Sequence, residues 1–269
     1  MKTAVDRVYA FQPGYGAGNP ISHRQFWANS FRRGGPLDGR CTLVHGGGSL
    51  LANTFNQAWV HALNLQESGT PITHFAMLHD DVSPDDGWLD ILLDDLQKNS
   101  ADVVSAVIPI KDPFGTTSTA IDDPADVFNV ERRLTMAEVF ELPPVFTSND
   151  CGYPYRALLV NTGCWVCDFT KPWRFEITFT IRDRIRKNEK GKWVAEVAPE
   201  DWNFSRQLHS AGAKVMATRN VKLSHWGQLP YRNSEAWGEW NHDEIFAHKF
   251  GGVPITGTKK PHVKESASR

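Results

Sequence analysis

The chain has 269 residues, 41% hydrophobic and 22% charged, with a formal net charge of -2. These are ordinary values for a folded protein, and the length allows one large α/β domain or two small ones with a substantial core. No apolar run approaches the roughly 20 residues of a membrane span, and the N-terminus carries no signal-peptide pattern, so a cytoplasmic protein without a membrane span is expected. The near-neutral balance gives no global argument for nucleic acid or membrane as a partner.

Val5 to Phe11 reads as a short apolar strand, followed by Pro13-Gly-Tyr-Gly-Ala-Gly-Asn-Pro20. These glycines do not match GxGxxG, and no GK[ST] follows for a P-loop. The segment, beginning at Gly14, either lets backbone approach a nucleotide at the strand end or is a flexible loop. His23 to Arg33 reads as a helix and Cys41 to His45 as a second strand ending in Gly46-Gly-Gly48. A helix from Ser49 to about Gln66 follows, with Leu50, Phe55, Trp59, Ala62 and Leu63 as its apolar stripe.

The most informative stretch runs from Ile72 to Lys98. Phe75-Ala-Met-Leu78 has the composition of a buried strand, and it stops at His79-Asp80-Asp81. A helix start is expected next, with Ser83 as N-cap, Pro84 at the first helical position and Asp85 and Asp86 in the first turn. Trp88, Leu89, Leu92, Leu93 and Leu96 supply its apolar face. Seven acids lie between Asp80 and Asp95 with no Lys or Arg among them. Asp85, Asp86, Asp90, Asp94 and Asp95 read as a solvated helix start and face. Asp80 and Asp81 differ, because they sit where a strand leaves the core. Open α/β sheets bind ligands at such ends, and charge there is costly unless paired or metal-bound. Hard oxygen ligands at that point suit Mg²⁺ or Mn²⁺ holding a diphosphate.

Asp102 to Ile110 reads as a further strand, with Pro109 marking an edge or an end. The alternation of strand and helix to this point argues for a parallel, doubly wound sheet. Lys111 to Tyr155 shows no clear period and reads as an irregular excursion with a short helix at Thr135 to Phe140. Ala157 to Phe169 is an apolar run that reads as strand. It holds Cys164 and Cys167, which on a strand point to opposite faces, with no second pair to complete a zinc site. With Cys41 and Cys151 they read as free thiols in a reducing compartment.

Residues 181–192 hold six basic and two acidic side chains. The run is either a solvated face or the docking site of an anionic acceptor. In the stretch from Pro199 to Gly212, Phe204, Leu208 and Ala211 recur at helical spacing, which places Glu200 and Asp201 at a helix N-terminus. The ordinary explanation is dipole complementarity or capping; the sharper one is a carboxylate held to accept a proton. Val215 to Thr218 and Val221 to Gly227 read as strands, the latter containing His225. A lone histidine after a strand is more often a hydrogen-bonded neutral than a ligand. Beyond Gln228 the chain is rich in Trp, Asn and Gly, and a basic, flexible tail is expected at 249–269.

Taken together, a strand ending in Asp-Asp, an Asn161-Thr-Gly163 strand, and a Glu-Asp helix leading to a strand with His resemble the GT-A glycosyltransferases, in particular the family-2-like group. The resemblance spans roughly Val5 to Trp226. It implies a single Rossmann-like α/β domain over 1–248, with a mostly parallel central sheet flanked by helices. Residues 1–110 would form the nucleotide-sugar half and 111–248 the acceptor half. By the same resemblance Asp81 matches the metal-binding acid of the DxD motif and Asp80 its middle position, with His79 where that motif begins with Asp. His225 matches the histidine that completes the metal shell. Asp201 matches the general base, with Glu200 beside it. Gly14, His79, Asp80 and Lys111 are the residues expected at the donor nucleotide. The implied activity is metal-dependent, inverting transfer of a hexosyl group from a nucleotide-diphosphate sugar, a UDP-sugar in the first instance, with Mn²⁺ or Mg²⁺. The acceptor is open; a hydroxymethylated base in DNA is one possibility, contacted by the 181–192 run and the tail. A nucleotide-sugar hydrolase and a non-catalytic carbohydrate-binding protein are the rival readings.

Overall fold

A computed structural model describes residues 7–14, 18–31, 41–227 and 229–237. The expected tail at 249–269 and the first residues of the Val5 strand lie outside these. In chain order the elements are β1 (Val8–Pro13), α1 (Pro20–Trp27), β2 (Cys41–Gly46), α2 (Leu51–Glu67), β3 (His74–Leu78), β4 (Val82–Pro84), α3 (Trp88–Lys98) and β5 (Val103–Ala106). There follow β6 (Thr116–Asp122), β7 (Val130–Thr135), α4 (Met136–Glu141), β8 (Val145–Phe146), β9 (Leu158–Leu159) and β10 (Cys164–Asp168). A 3-10 turn (Pro172–Phe175) leads to β11 (Arg182–Lys187), β12 (Trp193–Ala198), α5 (Glu200–Ser210), β13 (Val215–Thr218), β14 (Leu223–Trp226) and β15 (Pro230–Arg232).

A seven-stranded sheet in the order β2-β1-β3-β10-β5-β13-β8 forms the centre of a mixed α/β fold. β2, β1, β3, β5 and β13 run one way, while β10 and β8 oppose their neighbours. The sheet is therefore mostly parallel, as the strand–helix alternation predicts, with β10 inserted antiparallel between β3 and β5. Helices cover both faces. Ala76 and Leu78 of β3 pack with Phe26 of α1 and Trp88, Leu89 and Leu92 of α3. Phe75 and Met77 pack on the other side with Phe55 and Trp59 of α2 and Phe204 and Leu208 of α5. The period-2 alternation of a strand buried on both faces explains why these segments read as continuous apolar runs. Cys164 and Cys167 follow the same rule, one in each layer, and all four cysteines are free thiols.

Several expectations are corrected. Val82 to Pro84 is a strand, not a helix start, and pairs with β14. α3 begins only at Trp88, with Gly87 as its N-cap at φ 75, a left-handed conformation glycine adopts without strain. Proline suits a helix N1, but pairing with β14 holds the chain extended through Pro84, and tertiary pairing outweighs the local signal. The run from Ala157 to Phe169 is two strands in different sheets, because Asn161-Thr-Gly163 interrupts it. The stretch read as irregular contains an antiparallel pair, β6 and β7, which packs with β9. Its predicted short helix is present and carries a capping box between Thr135 and Glu138. Leu50 lies outside the α2 stripe and is exposed. Asp95 is not on a solvated face: it is buried and accepts from Thr218 Oγ1 at 2.7 Å and Asn220 Nδ2 at 3.0 Å, tying α3 to the end of β13.

The basic run at 181–192 forms β11 and the turn of the β11–β12 hairpin. Arg184 pairs with Asp126 and Glu196, and Arg186 with Glu196, so these arginines are neutralised within the fold rather than presented to an anionic acceptor.

Candidate active site

The parallel strands β1, β2 and β3 end side by side, and their exits form one polar surface. Gly14 N donates to Gly46 O at 3.1 Å, joining the first two exits. A Cβ on Gly14 would stand 2.8 Å from both Asp80 Oδ2 and His45 Nε2, and one on Gly47 would meet Gly14 O at 2.2 Å. Only glycine permits backbone and carboxylate to approach this closely. Pro13, Gly14, Gly48, Thr54, His79, Asp80 and Asp81 line a cavity of about 190 Å³ there. The expected nucleotide residues Gly14, His79 and Asp80 are thus brought together with Asp81.

His79 Nε2 is buried with no hydrogen-bond partner among the described residues. Burial lowers its pKa to about 4 despite the nearby Asp81 charge, with His225 and Lys111 adding to the lowering. The ring is neutral, and an unsatisfied buried nitrogen in a cavity wall is a feature a bound ligand would relieve.

Asp81 sits where β4 and β14 meet. Trp226 N donates to Asp81 O at 2.8 Å, and the β4–β14 register sets His225 opposite Val82. His225 Nε2 lies 3.4 Å from Asp81 Oδ2, and Lys111 Nζ lies 2.6 Å from the same oxygen. Burial pushes the Asp81 carboxyl up, but the facing His225 and the Lys111 ammonium outweigh it and hold it well below the usual carboxylate range. His225 Nδ1 is 2.8 Å from Pro109 O. A carbonyl oxygen only accepts, so Nδ1 carries the hydrogen. Nε2 then faces the carboxylate oxygen either with a second proton or with its lone pair turned to a cation held between them.

That donor set fits a divalent ion. Adjacent oxygen and nitrogen ligands of an octahedral ion with bonds near 2.1 Å lie about 3 Å apart, close to the separation here. The Nδ1–H to carbonyl bond is the usual outer support of a metal-bound imidazole. Among the described residues no group of three or more His, Cys, Asp and Glu side chains could hold a metal. One or two carboxylates with substrate phosphates and water is the pattern of Mg²⁺-type sites; Asp81 supplies one, and an imidazole is the less usual partner there.

Glu200 and Asp201 begin α5 and are buried. Pro199 is the N-cap and makes no side-chain cap bond, but Asp201 Oδ1 accepts from Trp202 N at 2.8 Å, so the carboxylate does serve the first turn of the helix. Burial, then the neighbouring Glu200 charge, pushes Asp201 up to about 7, against the opposing charge of Arg133. Burial likewise raises Glu200. Arg133 stands over the Trp202 ring at 4.9 Å and is itself lowered by burial, against the charges of Asp201 and Asp112. No hydrogen bond or ion pair joins Asp201 to Asp81 among the described residues. The segment after β5 faces both groups: Pro109 O meets His225, Lys111 meets Asp81, and the Asp112 charge acts on Arg133.

His45 and Arg133 were not singled out in the sequence. His45 at a strand end beside Gly46-Gly-Gly48 was a usable signal. Arg133 had none, because β7 lay hidden in an aperiodic stretch.

No family model matches the chain, and no curated protein matches it. Among solved structures the chain is similar to the crystal structure of A197 from STIV, at 12% identity, over 88% of this chain and 98% of that chain, with a TM-score of 0.43. Among the described residues no helix is long and apolar enough to cross a membrane.

Proposed function

We propose that the chain is a metal-dependent glycosyltransferase of GT-A type, transferring a hexosyl group from a nucleotide-diphosphate sugar, a UDP-sugar in the first instance, with inversion. The observation that carries this reading is the meeting of Asp81 and His225, from segments far apart in sequence, beside a glycine-lined cavity at the ends of parallel strands. Such strand ends are where open α/β sheets take nucleotides.

In this reading Asp81 and His225 hold Mn²⁺ or Mg²⁺, which when bound neutralises charge on the departing diphosphate. Gly14 lets backbone approach the nucleotide, His79 and Asp80 meet it from the cavity wall, and Lys111 places an ammonium beside the diphosphate. Asp201, held near neutrality by burial and Glu200, takes the acceptor hydroxyl's proton, and Arg133 stabilises the carboxylate that must be ionised to do so. In this reading the described residues up to 110 supply most donor contacts and those after 111 the acceptor contacts, with Lys111 and His225 reaching across.

The test is calorimetric titration of UDP and UDP-sugars with and without Mn²⁺, followed by product analysis in the presence of candidate acceptors. Nucleotide binding that depends on metal, and sugar release that rises with an acceptor, support the reading. Hydrolysis unaffected by any acceptor reassigns the site to a hydrolase, and absence of nucleotide binding removes both.

A further inference from the structure

The β11–β12 ribbon keeps arginines on its inner face and exposes large apolar side chains on its outer one. Arg184, Arg186, Val194, Glu196 and Ala198 face the body of the protein, where Arg184 lies over the Phe128 ring at 4.2 Å and pairs with Asp126. The alternate positions, Asp183, Ile185, Lys187, Trp193, Ala195 and Val197, face outward, with Ile181 exposed just before the strand. Ile185 is 75% exposed, Trp193 69%, Val197 49% and Ile181 45%. A half-buried sheet in water puts apolar side chains in and charges out; here the outer face exposes four large apolar side chains around Asp183 and Lys187, a patch of the kind that marks a docking surface. The ribbon pairs with no third strand among the described residues, and a two-stranded ribbon is marginal on its own.

The charge at its tip narrows the choice of occupant. Lys187 stands 5.2 Å over the Trp193 ring, and the turn adds exposed Lys190 and Lys192 against Glu189. An occupant must take several aliphatic side chains and an anionic rim together. Nucleic acid offers phosphates and base faces, but little that rewards burying Ile185, Val197 and Ile181. A second copy would set the lysine tips against Asp183 and Glu189, and a handful of side chains falls well short of the roughly 800 Å² per partner of a stable interface. An anionic lipid surface satisfies both requirements: aliphatic groups enter the acyl boundary, the indole sits at headgroup level, and lysine ammoniums reach the phosphates.

We infer that the outer face of the β11–β12 ribbon, with Ile185 and Trp193 at its centre and Lys187, Lys190 and Lys192 at its tip, is a peripheral docking surface for anionic membranes. The inference stands apart from the proposed reaction, since it needs neither donor nor metal.

The test is co-sedimentation of the full chain with phosphatidylcholine vesicles with and without phosphatidylglycerol. Binding should require the anionic lipid and weaken with salt, each lysine contributing about fivefold. Ile185→Asp and, separately, Trp193→Ser should lower it by more than about tenfold, with melting temperatures unchanged because both side chains are exposed. Glu at Lys187, Lys190 and Lys192 together should remove the preference for anionic lipid. No vesicle binding, or binding insensitive to Ile185→Asp, overturns the inference. So does binding of a labelled oligonucleotide through the same lysines without vesicle binding, or a dimer dissolved by Ile185→Asp. Nucleotide titration of the same variants keeps failure here distinct from failure of the glycosyltransferase reading.

Discussion

His225 turns its Nε2 toward Asp81 Oδ2 at 3.4 Å while its Nδ1 is held by the Pro109 carbonyl at 2.8 Å. The pairing is built by backbone, because β14 runs antiparallel to β4 and Trp226 N bonds Asp81 O. Either a proton on Nε2 or a cation between the two groups is needed to make that approach favourable. If a divalent ion is the cation, removing either side chain leaves one protein ligand. Asp81→Ala and His225→Ala should each lower Mn²⁺-dependent UDP affinity by more than the 10–100-fold typical of losing an outer-shell partner. Calorimetry that finds unchanged metal-dependent affinity in Asp81→Ala refutes the assignment.

Lys111 competes for the same oxygen. Its ammonium lies 2.6 Å from Asp81 Oδ2, with both side chains about one-third exposed, so the pair itself contributes little to stability. Its value would be as a cation that leaves Asp81 for the diphosphate when donor binds. Lys111→Met should then weaken UDP binding about tenfold while uridine binding is unchanged, and the melting temperature should barely move. Equal losses for UDP and uridine would show that Lys111 shapes the cavity rather than meeting phosphate.

Asp95 illustrates a purely structural carboxylate. Buried, it accepts from Thr218 Oγ1 and Asn220 Nδ2. Asp95→Ala leaves those donors unpaired and should cost about 1–3 kcal/mol, read from denaturant unfolding, with nucleotide affinity intact. A loss of nucleotide affinity without loss of stability would place Asp95 in the wrong role.

How much of this was legible in the sequence depended on whether the deciding interaction was local. The strand ending at Leu78, the amphipathic α2 and α5, and the capping-box helix α4 each carry their signal within a few residues. The start of α3 does not, because Pro84 reads as a helix N1 until β14 arrives to pair with it. β6 and β7 were hidden for a different reason: β6 is buried along its whole length, Ala120 packing with Leu159 and Trp202 and Ile121 with Leu158, while Arg133 stands over Trp202, so no strict alternation appears. Residues 79–81 and 200–201 were legible as polar groups at element ends, whereas His225, inside β14, stood out only through the family resemblance. The closeness of Asp81 to His225 and Lys111 was not legible from residues alone, since three separate segments create it. The 181–192 run was legible as charge, yet Arg184 and Arg186 are consumed by Asp126 and Glu196, acids that lie outside the run.

Asp201 gives the sharpest separation of catalysis from structure. Burial and Glu200 push its carboxyl up to about 7, from an ordinary value near 4. A base must be ionised, so turnover should rise with pH through about 7. Glu200→Gln removes the like charge and should move that rise to lower pH. Asp201→Asn should lower turnover by about 10²–10⁴-fold while leaving Mn²⁺-dependent UDP affinity intact, since the metal and nucleotide contacts are made by other residues. Stability should move the other way. A carboxyl whose folded value is raised favours the folded state while it keeps its proton. That contribution is full below about pH 4 and is lost as pH rises through about 7. Asn never ionises, so Asp201→Asn should melt above the wild type near pH 8, by about 2–4 °C per kcal/mol, and the gap should close near pH 4. A variant that keeps its turnover, or a product that retains the donor's anomeric configuration, removes Asp201 as the base. Lower stability near pH 8 would instead show that Asp201 is ionised and paired in the fold.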